Sequence, residues 1–375
     1  MYTSSRRAVL TAAALAGAAS GCARAPRDAA DDRPATPFYG THQAGVLTPP
    51  QPSVLIVSYD LGARTRGAAG ARALRSVLAA WSRLLGERDR ELDAADGRLA
   101  SARTSRLTAT VAVGPALPRR LGLRSPALLR ELPAFPGDRL EERRGSGDVL
   151  VQVCADDAWT CNDAALALDD AAAGVLTPRW RQPGFLPPTG PGRTPRNLFG
   201  FLDGTANPAP ADAPRHVHVA NGPDRGGSYL VYRRIRMDLA AFAALDRGRQ
   251  ERIMGRHRVD GAPLGGRREH DEVNLFAKRP DGEYVVPADA HVRLAHPRLD
   301  GGAQMLRRGY SYADAADDQG LLFLAYMKDP DLFVRVQERL AGSDALNRFT
   351  RHTASAVAYV LPGVRRGESL GAPLL

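Results

Sequence analysis

The stretch QPGFLPPTGPGRTPRN, residues 182–197, carries five prolines and three glycines in sixteen positions, a composition that regular structure does not tolerate. It reads as a long connection, and the sequence on its two sides falls into the same order. Upstream, SVLIVSYDL (53–61) is a β-branched apolar run, residues 70–87 have helical apolar periodicity, RLTATVAVG (106–114) alternates as a strand, and GDVLVQVCAD (147–156) is another. An Ala/Leu-rich helix over 159–173 and a strand over 174–185 complete that half. Downstream follow a strand over 226–237, a helix over 238–256 begun by the cap Asp238, and the segment HVRLAHP (291–297). A strand over 320–329, a helix over 330–342 opened by Pro330 and a strand over 353–363 end the chain. Strand, helix, strand, taken twice, is the ferredoxin-like arrangement. The expectation is an α+β fold of two ferredoxin-like domains with antiparallel sheets, residues 51–196 and 197–375. A length of 375 residues at 44% hydrophobic suits two domains of about 150 residues, and ligands often lodge between such halves.

Ahead of the domains, MYTSSRRAVLTAAALAGAASGC (1–22) has the form of an export signal. The pair Arg6 and Arg7 precedes an apolar run from Ala8 to Ala19, short of the roughly 20 residues that a membrane span needs. Adjacent arginines here resemble the twin-arginine signal, which exports proteins already folded and often already loaded with a cofactor. Ala19-Ser20-Gly21-Cys22 resembles a lipobox, so membrane attachment through lipidated Cys22 and free secretion both stay open. An extracellular or cell-envelope location is expected. Residues 23–50, rich in Pro, Ala and Asp, read as a flexible linker.

The net charge is +10, falling to +8 once the signal is removed, which raises the question of a nucleic-acid partner. Of 51 basic residues only Lys278 and Lys328 are lysines, the charges are dispersed among 41 acids, and no basic helix is interleaved with aromatics. No nucleic-acid partner is expected. The spacing of Cys154 and Cys161 permits a disulfide, while the position of Cys154 at the end of an apolar strand suits a small buried thiol.

Three islands carry chemistry: NLFGFLDGTANP (197–208), DAHVRLAHPR (289–298) and GGAQMLRRGYSY (301–312). Asp203, followed by Gly204, can project a carboxylate where backbone must come close, although an Asp-Gly pair is also an ordinary turn. His291 could offer a neutral imidazole to iron with its other nitrogen held by a hydrogen bond, or could be a plain surface or core histidine. No C-x-x-C-H occurs, which excludes covalent haem attachment.

Together, GFLDGTANP, HVRLAHPR, MLRRGYSY and the ending VAYVLPG with LGAPLL resemble the dye-decolourising peroxidase family, especially its exported twin-arginine branch. GRHRVDGAPLGG (255–266) and GLLFLAYMKD (320–329) match the same branch. The resemblance implies haem b bound mainly by the C-terminal domain. Gly200, Asp203 and Gly204 match its G-x-x-D-G motif, with Asp203 as distal acid; His291 matches the proximal iron ligand and Arg307 the distal arginine. Gly204, Thr205 and Ala206 match one segment touching haem, and His296, Pro297 and Arg298 match a second that often begins with Asn in relatives. Relatives also often carry a Trp near the position of His218.

The activity so implied is reduction of hydrogen peroxide through a ferryl intermediate, with oxidation of dyes, phenols or other bulky reductants. Asp203 would shuttle the proton, and Arg307 would stabilise developing negative charge. Two alternatives stand beside it: deferrochelatase-like release of iron from haem with the tetrapyrrole kept whole, and a non-enzymatic haem carrier or sensor. Trp180, Tyr310, Tyr312, Tyr326 and Tyr359 could relay electrons, but each reads first as core packing. A homo-oligomer is compatible with the sequence.

Overall fold

A computed structural model describes residues 36–87, 105–190 and 192–374. Arg6, Arg7, Cys22 and the first part of the expected linker lie outside the described residues. From Ala35 to Leu375 the chain clusters as one compact unit.

The first half runs β1 (Ser53–Leu61), α1 (Gly67–Glu87), β2 (Thr108–Val113), α2 (Leu117–Leu121), β3 (Val149–Ala155), α3 (Ala158–Ala172) and β4 (Leu176–Phe185). The second runs α4 (Ala213–Val217), β5 (Ser228–Met237), α5 (Leu239–Ala243), α6 (Arg247–Met254), α7 (His291–Leu294), β6 (Leu306–Ala315), β7 (Asp318–Met327), α8 (Asp331–Ser343) and β8 (Thr350–Val360). The spatial order β4-β1-β3-β2 in the first half is matched by β8-β5-β7-β6 in the second, all pairs antiparallel. Both expected ferredoxin-like sheets are therefore present. They also share edges: Val113 pairs with Tyr359 and Phe185 with Ser311, which closes one barrel and removes every free edge.

Closure explains why β1 is buried on both faces. One face looks into the barrel; the other is covered by α1, whose Leu74, Val77, Leu78, Trp81 and Leu85 recur at helical spacing, and by α3. Trp81 Nε1 donates to the Leu168 carbonyl at 2.8 Å and ties the two helices together. The barrel interior is partly polar. Arg308 lies there, 2% exposed, donating to Tyr310 Oη at 3.3 Å and to Gln51 Oε1 at 3.2 Å. Cys154 and Cys161 are both free and buried, so the disulfide does not form.

Three sequence expectations need correction. The helix expected over 238–256 is two, because Asp246 caps a second start by accepting from Arg249 N at 2.9 Å. Residues 36–50 are not the flexible linker expected of them: Phe38 and Val46 are buried, and Gln43 bridges the seam between β2 and β8. Its Nε2 donates to the carbonyls of Val111 at 2.7 Å and Leu361 at 2.8 Å, and its Oε1 accepts from Val111 N at 2.8 Å. Finally, LRRGYSYADA (306–315) is a strand, not only a motif-bearing island.

His42, on the same N-terminal strap, stacks on His218 with ring centroids 3.5 Å apart and planes at 8°. Neither ring nitrogen of His218 has a partner among the described residues, and burial together with His42 pushes its pKa down to about 4. Burial and the Arg233 guanidinium, whose Nε contacts Nδ1 at 3.0 Å, likewise push His352 down to about 3. Both histidines are held neutral in the fold, whereas in the unfolded chain they take protons near pH 6.5. Stability is therefore lost as pH falls below about 6.5, by about 2–3 kcal/mol for each histidine at pH 4.5. Urea unfolding of the wild type and of His218→Phe at neutral and acidic pH should show a shallower acid loss in the variant. Equal losses would contradict the assignment.

Candidate active site

A cavity of about 500 Å³ opens beside β6, β7 and α8, walled by the 197–207 loop, α7 and the turn that follows it. The loop is built to bring a carboxylate to that wall. Gly200 has φ +85° and a Cβ there would meet the Arg258 guanidinium at 2.6 Å; Gly204 has φ +118°. Phe199 and Phe201 pack on Phe242, at centroid distances of 4.2 and 6.2 Å, and anchor the loop to α5. Asp203 N donates to the Pro195 carbonyl at 2.9 Å, and Asn197 Nδ2 approaches Asp203 Oδ2 at 3.5 Å. Gly309 of β6 lets bare backbone face this acid: a Cβ there would lie 3.6 Å from Oδ2.

Asn207 joins the loop to β6. Its Oδ1 accepts from Arg307 N at 2.9 Å and its Nδ2 donates to Arg307 O at 2.8 Å, which fixes the backbone that carries the guanidinium. Arg307 lines the cavity and has no ion-pair partner among the described residues. Arg256 lines it too, held by the carbonyls of Gly261 at 2.7 Å and Glu269 at 2.8 Å. Burial and then the charge of Arg307 lower the Arg256 pKa. Thr205 Oγ1 donates to Glu269 Oε1 at 2.9 Å, which fastens the Gly204-Thr205-Ala206 segment along the wall.

His291 opens α7, and its Nδ1 lies 2.6 Å from Asp344 Oδ2. Burial would lower the imidazole pKa; the Asp344 carboxylate outweighs it and raises it. Asp344 is itself fixed, its other oxygen accepting from Leu346 N at 2.8 Å. In the neutral imidazole with Nδ1 as the donor to Asp344, Nε2 keeps its lone pair, and no described residue hydrogen-bonds to it. Four histidines line the cavity, but among the described residues no three His, Cys, Asp or Glu side chains converge as a chelating set, so His291 is suited to act as a lone axial ligand rather than as one member of a cluster.

The structure brings Gly204, Thr205, Ala206, Asp203, His291, His296, Pro297 and Arg307 to one cavity. Arg298 is not on its wall: the side chain is exposed, with the guanidinium 5.6 Å from the Phe276 ring centroid, and its backbone N donates to His296 Nδ1 at 3.2 Å. This follows from the tight 3₁₀ turn over Pro297–Asp300, which His296 caps and which carries residue 298 away from the lining. Sequence reasoning missed Asp344, Asn207 and Glu269. Asn207 stood inside a motif already in view, whereas Asp344 is 53 positions from its partner and sits in an unremarkable GSDALNR segment.

A barrel of two ferredoxin-like sheets, whose cavity gathers a carboxylate-held imidazole, an acid and an unpaired guanidinium, defines a haem-dependent peroxidase. The chain belongs to the Dyp-type peroxidase family: residues 43–186 match its N-terminal domain and residues 194–365 its C-terminal domain. It is 39% identical over 364 residues to the dye-decolorizing peroxidase of Thermobifida fusca, covering 89% of this chain and 83% of that one. It is 37% identical over 367 residues to the deferrochelatase of Yersinia pseudotuberculosis, covering 88% and 82%. Among solved structures it resembles an oxyferrous complex of DtpA from Streptomyces lividans, at 38% identity and TM-score 0.82, covering 90% of this chain and 96% of that one. A DyP-type peroxidase from Streptomyces coelicolor matches at 38% identity and TM-score 0.83, covering 90% and 95%.

Proposed function

We propose that this chain binds haem b and uses it to reduce hydrogen peroxide at the expense of dyes, phenols or other bulky reductants. The carrying observation is the unpartnered Nε2 of His291, with Nδ1 tied to Asp344, in the cavity that also holds Asp203 and the charge-unpaired Arg307. The cavity volume lies within the ~300–1,000 Å³ of ligand sites, and its wall of Ile235, Met237, Leu321, Phe323 and Leu340 suits a macrocycle. His291 would hold the iron; Gly204, Thr205, Ala206, His296 and Pro297 would touch the ring. When bound, haem would supply redox-active iron and the electrons needed to cleave the O–O bond.

The protein handles the proton. Asp203 Oδ1 has no partner among the described residues, so it can accept the proton of the nearer peroxide oxygen and return it to the farther one, which leaves as water. Arg307 cannot serve as a base, because a guanidinium keeps its protons; it donates hydrogen bonds to the negative charge that grows on the separating oxygen. Asn197 keeps the Asp203 carboxylate turned toward the cavity.

The test is an absorption spectrum of haem-loaded protein before and after one equivalent of peroxide, with oxidation of a neutral phenol followed alongside. Loss and return of the resting spectrum as phenol is consumed supports the reading; a haem-loaded protein inert to peroxide refutes it. The likeness to a deferrochelatase supports a second reading, release of iron from haem, and free protoporphyrin among the products would favour it. We also infer export by the twin-arginine route from Arg6 and Arg7 ahead of the apolar run. Replacing both by Lys should leave the protein in the cytoplasm, and undiminished export of that variant would refute the route.

A further inference from the structure

A second cleft, of about 750 Å³, lies where the end of β1, α2 and β4 meet, and it shares no lining residue with the first. Four arginines line it: Arg66, Arg119, Arg120 and Arg179. Arg120 is a brace. Its Nη1 donates to Asp148 Oδ2 at 2.7 Å and its Nη2 to the carbonyls of Leu61 at 3.0 Å and Gly62 at 2.7 Å. Asp148 is 5% exposed and also accepts from Leu61 N at 2.8 Å, so its charge is spent within the wall. Arg120 Nε remains a buried donor with no acceptor among the described residues.

Arg179 is positioned by the Glu142 carbonyl at 3.0 Å and stands 3.4 Å from Asp60. Arg66 and Arg119 are exposed and have no carboxylate partner among the described residues; Arg66 donates only to the Ala63 carbonyl, at 3.3 Å. The remaining lining acid, Glu131, is exposed, and the cleft keeps one positive charge in excess. Pro115 and Ala116 line the same cleft and supply apolar surface.

We propose that this cleft is a docking site for aromatic oxyanions, with a sulfonate or carboxylate against Arg66 and Arg119 and the ring body against Pro115 and Ala116. Guanidinium forks match such groups in two-point contact and also lie well against aromatic planes. The inference deepens the peroxidase reading and rests on it for the ligand's use as reductant. Once a porphyrin fills the first cavity of about 500 Å³, a multi-ring reductant needs another place to bind. The second cleft is large enough, open, and charged for the anionic members of that class.

The test uses haem-loaded protein and 2-naphthalenesulfonate, titrated calorimetrically without peroxide, with 2-naphthol as the uncharged counterpart. Wild type should bind the sulfonate more weakly as salt rises, and the double variant Arg66→Glu, Arg119→Glu should bind it about tenfold more weakly or worse. Both sites are exposed, so the variant should fold, and an unchanged Soret band and melting temperature would verify that. In turnover, the variant should show a KM for a sulfonated anthraquinone dye raised about tenfold with kcat preserved, and unchanged kcat/KM for a neutral phenol. Absence of sulfonate binding by the wild type, or binding indifferent to the charge reversal, overturns the docking site. Failure of the wild type to oxidise the neutral phenol would instead overturn the peroxidase reading and leave the binding result standing.

Discussion

Arg307→Leu should bind haem as the wild type does yet lose about 10²- to 10³-fold in peroxide-driven turnover, some 3–4 kcal/mol of transition-state stabilisation. The backbone of residue 307 does not depend on its side chain, because Asn207 clamps it through both the N–H, at 2.9 Å, and the carbonyl, at 2.8 Å. Leucine therefore removes charge and donors without moving β6. The loss should be large because no carboxylate among the described residues neutralises the guanidinium, so all of its field is available to the separating oxygen. Arg307→Lys should recover part of the rate, since it restores the charge but not the planar fork. Asp203→Asn should also slow turnover by about 10²- to 10⁴-fold. The two losses should not add, as both groups serve one bond-breaking step. Stopped-flow rates for peroxide with a neutral phenol decide the matter; an Arg307→Leu rate within a few-fold of wild type would remove Arg307 from the chemistry.

Much of this arrangement was legible because its signals are local. The apolar run of β1 and the helical spacing of α1 follow from periodicity, and the Pro/Gly-dense stretch separates two copies of one pattern, although its first four residues, Gln182 to Phe185, still belong to β4 and pair with β1. The strand β6 was hidden for a physical reason. LRRGYSYADA turns Arg308, Tyr310 and Tyr312 into the barrel, so its buried face contains a guanidinium and two hydroxyls and does not read as apolar. The same polar interior made the aromatic residues ambiguous: Tyr326 Oη donates to Gln152 at 2.9 Å and Trp180 stacks on Tyr232 at 5.2 Å, both as packed core. The strap over residues 36–50 passes for a tether only by continuity with the Pro-, Ala- and Asp-rich residues 23–35; it holds three prolines, one alanine and no aspartate itself. A single Gln43, hydrogen-bonded three times across the seam, reverses that reading, and nothing in the local composition announces it. Within the site, Asp203, His291 and Arg307 belonged to motifs, whereas Asp344 is defined only by meeting His291 in space.

Asp344→Asn tests what that spatial partner does. Asparagine keeps the shape and can still accept from Leu346 N through its carbonyl oxygen, so the 3₁₀ turn over Ala345–Arg348 should persist. What disappears is the negative charge 2.6 Å from Nδ1, the charge that raises the imidazole pKa against the effect of burial. A less basic imidazole donates less to iron, and removal of such a supporting carboxylate typically costs 10- to 100-fold in metal affinity, roughly 1.4–2.7 kcal/mol. The loss falls more heavily on the ferric than on the ferrous state, because the more highly charged metal gains more from an electron-rich ligand. The reduction potential of haem-loaded Asp344→Asn should therefore rise, by about 59 mV for each tenfold difference between the two states. His291→Ala, lacking the ligand altogether, should retain haem poorly and show no peroxide-driven turnover. Spectroelectrochemical titration separates these roles: a potential equal to wild type in Asp344→Asn would mean that the carboxylate only orients the ring, while a rise with haem still bound would mean that it tunes the iron.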